Sequence, residues 1–467
     1  MRTSVAIEKQ EEKTKIPNRK LLLFIASFLT ALAATFSLGD NSFNEPQTEV
    51  FFLLLFSIAL WLTEAVPAFA VGIFIIVFLV FTQGYGVLTD SPRNIQVYLN
   101  TFSSSVIWLM LGGFFLAAAM TKTKLDINLI QITLRICGKK PKWILFAMML
   151  VTMTISMLIS NTAATSMVIA ALIPLTAQLG NQSPVSKGLI LGIPLAATTG
   201  GMGTIIGSPP NAIAAGVLST AGQPVNFIEW AYYGLPIAVV LTLLAWALLV
   251  NLFMRNAQPI SAVPSPTVDN AAHPEAGFQR IVVIIILIVT LALWLTNPIH
   301  GLSAAVVSAF PLVTLTLTGI LKNADVRGVG WDTLLLVAGG LALGTGLQES
   351  GLLEIYSQKI AALPVPRTAF YFLLAYATML FSNVMSNTAT STVLIPLGMS
   401  ILPQNITEVC MIIGLSASTA LFLPVSTPPN AIAFSSGLIA QKDLRIGGML
   451  VGLIGPAMIV LWVLLIS

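Results

Sequence analysis

Apolar residues in this chain run in long unbroken stretches separated by short polar segments, with no two-residue alternation. Stretches near 21–38, 51–66, 69–84, 105–121, 187–219, 230–253, 279–297, 302–321, 332–347, 408–439 and 446–466 predict about eleven membrane-spanning helices. The hydrocarbon core of a bilayer takes roughly 20 apolar residues per helix. Barrel strands would be short and alternating, so the predicted class is an all-α polytopic membrane protein. Two further stretches, 143–179 and 367–402, carry the polar tripeptide Ser-Asn-Thr at their middles. Each is long enough for two short helices and has to break at the tripeptide. They read as re-entrant hairpins, because irregular backbone at membrane depth survives only inside protein or beside a wet cavity.

The polar interruptions repeat. Ser160-Asn161-Thr162 is followed by Pro-Pro-Asn-Ala-Ile-Ala at 209–214, and Ser386-Asn387-Thr388 by the same hexapeptide at 428–433. Trp61-Leu62-Thr63 returns as Trp294-Leu295-Thr296, and Gly112-Gly113 as Gly339-Gly340. The offsets are 233, 227, 226 and 219, a slow drift that fits duplication followed by small loop changes. The expected units are a cytoplasmic segment 1–20, a first repeat 21–253, a linker 254–278 and a second repeat 279–467. The linker is rich in Pro, Ser and Ala, and irregular backbone is expected from 254 to about 280.

Composition narrows the class. The chain is 56% hydrophobic and 9% charged, against about 25% charged in soluble domains. Residues 1–20 hold six bases, and 122–142 hold six bases against Asp126. The loop 39–50 carries Asp40, Glu45 and Glu49 and no base. Lysine and arginine favour the cytoplasmic side, which puts the N-terminus inside and, after eleven spans, the C-terminus outside. The first hairpin then enters from the cytoplasm and the second from outside, an inverted-topology repeat in a multi-pass protein of the cell membrane. No cleavable leader is expected from the charged first 20 residues. Amphipathic stretches at 122–138 and 348–362 fit helices lying in the interface plane.

Ser and Asn serve helix starts, where their side chains take up orphan backbone N–H groups. A Ser-Asn-Thr at a hairpin tip can cap the returning helix, whose N-terminus suits an anion. No arginine or lysine lies near either motif in the sequence. A Pro-Pro pair removes two donors and breaks a helix, leaving carbonyls that, with Ser and Asn oxygens, suit a hard cation. Gly200, Gly201, Gly203 and Gly207 allow close backbone approach in the first of these spans. Substrate sites where two repeats meet at broken helices are a secondary-transporter device. Simple packing by small polar residues explains one such motif, but not the paired set. Cys137, Cys410, His273 and His300 show no metal-ligand spacing and read as incidental. Met148, Met149, Met153 and Met157 read as core filling. Glu64, beside Pro67, reads equally as an ion site or a helix-terminal residue.

On Trp61 to Pro67, the paired Ser-Asn-Thr motifs and Pro428-Pro429-Asn430, the chain resembles the divalent anion:sodium symporter family of dicarboxylate and citrate transporters. The resemblance covers nearly the whole chain. It implies a homodimer and an elevator mechanism, in which a transport part carries the site across the membrane. It implies sodium as coupling ion, held by Ser156, Ser160, Asn161 and Gly207 in one half and by Ser382, Ser386, Asn387 and Ser426 in the other. Substrate carboxylates would meet Asn161, Thr162, Ser208, Asn387, Thr388 and Thr427. One departure stands out. The motif serine precedes the next Ile-Pro-Leu proline by 14 residues in the first half (Pro174) and by 10 in the second (Pro396), so the two returning helices should differ in length or bend.

The expected function is secondary transport of di- or tricarboxylates such as succinate, malate, fumarate, 2-oxoglutarate or citrate, coupled to sodium. A sodium-independent exchanger of the same fold and a carrier of sulfate-type oxyanions are the alternatives. A channel fits the inverted repeat poorly. An enzyme would need a base beside its nucleophile, and two distant histidines supply none. No organic cofactor and no nucleic acid are expected.

Overall fold

The computed structural model describes residues 2–40, 42–84, 92–180, 183–260, 274–361 and 366–467, and the elements among them are helices. Nine expected spans appear as continuous helices: Arg2–Leu38, Glu45–Thr63, Ala68–Gly84, Ser105–Lys122, Phe227–Phe253, Pro274–Leu295, Ala304–Leu317, Trp331–Glu349 and Gln441–Ile466. The other two are broken. The first is Pro184–Gly201, a turn at Ile205–Gly207, then Pro209–Thr220. The second is Ile406–Ser416, a turn at Ala417–Thr419, then Pro428–Ser435. Both motif-bearing stretches form paired helices, Pro141–Ser156 with Asn161–Leu179 and Arg367–Val384 with Asn387–Ile401. Seven described helices are long and apolar enough to cross a membrane, and Asn161–Leu179 is one of them.

The charged segment 1–20 continues helically into the first span, since Glu, Lys, Arg and Gln are good helix formers: the helix runs from Arg2 to Leu38, and its membrane-crossing part is Arg19–Leu38. One boundary moves. The helix Pro274–Leu295 begins inside the stretch expected to be irregular to about 280, because proline is welcome in a first turn that has no N–H partner anyway. The rest of the linker, 261–273 with His273, lies outside the described residues. The amphipathic stretches are helical at Leu125–Ile136 and Leu352–Ala361.

Packing pairs helices from the two halves of the chain. Ala68–Gly84 lies along Trp331–Glu349, and Ser105–Lys122 along Ala304–Leu317. The first contact is backbone on backbone: a Cβ on Gly339 would fall 2.2 Å from Gly72 Cα. The second is nearly as close, with Gly112 facing Ser308 at 2.6 Å on the same measure. Gly112 and Gly339 are the repeated glycines of the sequence, each seated against a helix from the opposite half. Small residues let membrane helices approach this far. The repeated tryptophans also match. Trp61 Nε1 donates to Ala68 O at 3.5 Å, and Trp294 Nε1 to Ala304 O at 3.1 Å; Ala68 opens the next helix, and Ala304 opens the helix that follows the short turn of helix Asn297–His300. Large apolar side chains such as Phe81, Ile288 and Leu461 face outward, as a lipid-facing surface requires.

Candidate substrate and cation site

Each Ser-Asn-Thr stands at a helix start. Ser160 is extended (φ −63°, ψ 141°) and its Oγ accepts from Ala163 N at 3.2 Å. Ser386 repeats this (φ −69°, ψ 148°), accepting from Ala389 N at 3.1 Å. The capping role expected of these serines is present in both halves. It uses one lone pair of each hydroxyl, and both residues remain exposed. The helices they start are 19 and 15 residues long, with Pro174 and Pro396 inside them. The difference matches the four-residue difference in proline spacing, about one helical turn.

In the first half, one terminal atom of the Asn161 amide lies 2.5 Å from Ser156 Oγ and 3.2 Å from the carbonyl oxygens of Ala197 and Gly207. Its neighbours are all oxygens, so that atom is the amide nitrogen, donating to them. Ser156 Oγ itself donates to Ala197 O at 2.7 Å and is fully buried. The structure thus brings Ser156, Asn161 and Gly207 together and adds Ala197 O, which no side-chain motif announces. Gly201 makes the cluster possible: a Cβ there would sit 2.7 Å from the nearer terminal atom of the Asn161 amide and 3.0 Å from Gly207 O.

The second half is looser. Ser382 Oγ and Asn387 Oδ1 are buried with no hydrogen-bond partner, as are Ser416 Oγ and Ser418 Oγ. The turn Ala417–Thr419 packs against both Arg367–Val384 and Asn387–Ile401. Ser426 is engaged elsewhere: its Oγ donates to Asn383 Oδ1 at 2.8 Å, and Asn383 Oδ1 also accepts from Phe422 N at 2.9 Å. Asn383 has Met157 at the matching place in the first half, so comparing the repeats passes over it.

The breaks are held by the Asn of Pro-Pro-Asn, a role the sequence reading missed although the residue lies in the motif. Asn211 Nδ2 donates to Gly201 O at 2.8 Å and Thr204 O at 2.7 Å. Asn430 Nδ2 donates to Leu421 O at 3.1 Å and Leu423 O at 3.0 Å. Both amides take up carbonyls released by the breaks, while Asn211 Oδ1 and Asn430 Oδ1 have no partner. Ser208 and Thr427 are buried N-caps immediately before the prolines.

A cavity of about 610 Å³ reaches the first tip, lined by Ser160, Thr162 and Ala163 on one side and by Phe114, Lys122, Asp325 and Asp332 on the other. Asn387, Thr388 and Thr427 are not in its lining. The volume is within the usual range for small-molecule sites, about 300–1,000 Å³. Its wall adds a base that lies outside both motifs. Lys122 is far from Ser160 along the chain, yet it shares this cavity, paired through Nζ with Asp325 Oδ2. That contact and the Lys322 backbone N–H hold the Asp325 carboxyl below its ordinary value.

Other singled-out residues resolve plainly. Glu64 is the exposed C-cap of Glu45–Thr63, in left-handed backbone (φ 50°), which favours its helix-terminal reading. His300 accepts from Leu302 N at Nδ1 and shares Nε2 with Leu293 O at 2.8 Å, a local turn contact. Met148 and Met149 are fully buried core. Cys137 and Cys410 are free thiols.

The model of the citrate transporter family matches residues 58–408. The chain is 27% identical to a sodium-dependent high-affinity dicarboxylate transporter 3 of Caenorhabditis elegans, over 86% of this chain and 80% of that protein. It is 27% identical to the sodium-dependent dicarboxylate transporter SdcS of Staphylococcus saprophyticus, over 97% and 92%. An uncharacterized transporter of Haemophilus influenzae is 30% identical over 86% and 88%. Among solved structures, the YdaH transporter of Alcanivorax borkumensis aligns with a TM-score of 0.53 at 14% identity, over 85% of this chain and 98% of that one. This last likeness concerns the fold alone.

Proposed function

Because the chain belongs to the citrate transporter family, among the divalent anion:sodium symporters, we propose that it carries C4–C6 di- and tricarboxylates across the cell membrane by sodium-coupled symport. It is a membrane transporter and not an enzyme. The observation that carries the proposal is the oxygen cluster of Ser156, Asn161, Ala197 and Gly207, together with the unpartnered oxygens of Ser382 and Asn387 at the matching place. Buried polar oxygens without donors are costly unless a ligand uses them.

Neutral oxygens suit a hard cation, and the residues present fit sodium. In the first half the Asn161 amide would turn over and present Oδ1 beside Ser156 Oγ and the two carbonyls, with Ser160 at the cap. In the second, Ser382, Ser386 and Asn387 would serve, with Ser426 released from Asn383. Bound sodium would offset carboxylate charge in a site whose tips carry no base. Substrate carboxylates would be met by Asn161, Thr162 and Ser208 from one side and by Asn387, Thr388 and Thr427 from the other. The helix N-termini at Asn161 and Asn387 supply free N–H donors and partial positive charge, while Ser208 and Thr427, each followed by Pro-Pro, offer their hydroxyls.

The paired helices 143–179 and 367–402 would be re-entrant hairpins in an inverted repeat, with the N-terminus cytoplasmic and the C-terminus outside. An elevator movement in a homodimer fits a first tip that shares its cavity with the opposing wall while the second tip lies outside that cavity. One observation favours a second reading. Ser426 is tied to Asn383, so the second cation site is incomplete, and a sodium-independent exchanger needs no such site.

Uptake of radiolabelled succinate and citrate into proteoliposomes decides. Uptake that needs external sodium and no internal substrate supports symport. Uptake that ignores sodium and needs internal dicarboxylate makes the protein an exchanger. Failure of both, with sulfate transported instead, overturns the carboxylate assignment.

A further inference from the structure

We infer that Lys122 is a carboxylate-binding residue on the cavity wall facing the first tip, held between substrates by Asp325, which occupies it as an internal carboxylate. The inference rests on the transport reading above and extends it to a residue outside both motifs. Lys122 ends the helix Ser105–Lys122 and is the basic side chain among the residues lining the cavity that Ser160 and Thr162 also line. Its Nζ already grips a carboxylate, Asp325 Oδ2, inside that cavity. The two side chains are 32% and 26% exposed, so the pair is in reach of solvent and of an entering anion. An ion pair this exposed is weak, so a substrate carboxylate can displace Asp325 at small cost. Asp325 does not become an orphan when released, because the Lys322 N–H still donates to it at 2.7 Å. Asp332, also in the lining, repels an anion and leaves Lys122 as the attracting group.

The other half of the chain sharpens the point. Lys122 follows Gly112 by ten residues, and Glu349 follows Gly339 by ten. Glu349 ends the matching helix and pairs with Arg93 at 2.7 Å. Each Gly-Gly helix therefore ends in an ion pair to a segment leading into the other, with the polarity reversed. A structural staple works with either polarity. A carboxylate grip needs a base beside a tip, and the Lys122 pair lines the cavity that Ser160 and Thr162 also line.

Binding of radiolabelled succinate and citrate to the full chain in lipid nanodiscs, at fixed sodium, tests this beside thermal melts. Lys122→Gln should weaken binding about tenfold, the loss of one charge-assisted contact. Asp325→Asn should tighten it roughly threefold by freeing the lysine, and Lys122→Arg should stay near wild type. Unchanged affinity in Lys122→Gln, or weaker binding in Asp325→Asn, overturns the inference and leaves a staple. Should Lys122→Gln not fold, the direction of Asp325→Asn decides. Wild-type protein that binds neither acid removes the transport reading as well, an outcome distinct from either variant result.

Discussion

Replacing Gly201 by alanine puts one methyl group into the centre of the first oxygen cluster. The new Cβ would lie 2.7 and 2.9 Å from the two terminal atoms of the Asn161 amide and 3.0 Å from Gly207 O. Ordinary contact begins at 3.4 Å, so Asn161 has to retreat by about 0.7 Å. It has little room, because it is the first residue of a helix already fixed by the Ser160 cap. Overpacking of this kind costs about 1–3 kcal/mol, and here most of it falls on the arrangement of Asn161 against Gly207. A loss of about 1.4 kcal/mol in cation binding is a factor of ten. The half-saturating sodium concentration for succinate uptake should therefore rise about tenfold or more, with partial recovery at high sodium. Gly203→Ala is the control: its Cβ would meet Met157 Cε at 2.9 Å, the mobile end of a flexible side chain. Sodium dependence unchanged in Gly201→Ala, or equally damaged in Gly203→Ala, would refute the placement of a cation there.

Further outcomes follow from the breaks and caps. Asn211→Ala and Asn430→Ala each strip two buried carbonyls of their donor, and should lower stability by about 1–3 kcal/mol per carbonyl in thermal or denaturant melts; a loss no larger than for exposed Ser435→Ala would argue against the staple. Ser386→Ala should cost about 1 kcal/mol by removing the cap, and Ser386→Asn should restore most of it; equal stability of both variants would remove the capping account. Glu64→Gly should stabilise by about 1 kcal/mol, relieving left-handed backbone, without changing uptake; lost uptake would return Glu64 to the ion pathway. The Asp325 carboxyl is held low by Lys122, so its contribution is present above the unfolded carboxylate value and is lost as pH falls through the lower folded one. Binding should show no step from this pair near neutrality, and a step there would mean another group governs it.

Much of this molecule could be read from the chain. Span positions follow from run length, because each segment must satisfy its own backbone in lipid whatever its neighbours do. The breaks follow from Pro209-Pro210 and Pro428-Pro429, which lack donors wherever they are placed. Ser160 and Ser386 act as caps through contacts three residues away. The proline spacing foretold returning helices of unequal length. These are local consequences, and the repeat allowed each to be checked against a second copy.

The tertiary structure decided which groups converge. Ala197 O and Gly207 O are backbone atoms that every residue carries, so no residue type marks them as neighbours of Asn161. Asn383 has no counterpart at Met157, and its hold on Ser426 exists only because two separate helices pack together. Lys122 reaches the Ser160 tip across an interhelical cavity, a proximity that sequence distance conceals. Hydrophobic patterning and capping act within a segment, so the sequence alone determines the segments. Oxygen clusters and ion pairs depend on how close helix backbones come, and contacts such as Gly72 with Gly339 and Gly201 with Asn161 set that distance only in the folded protein.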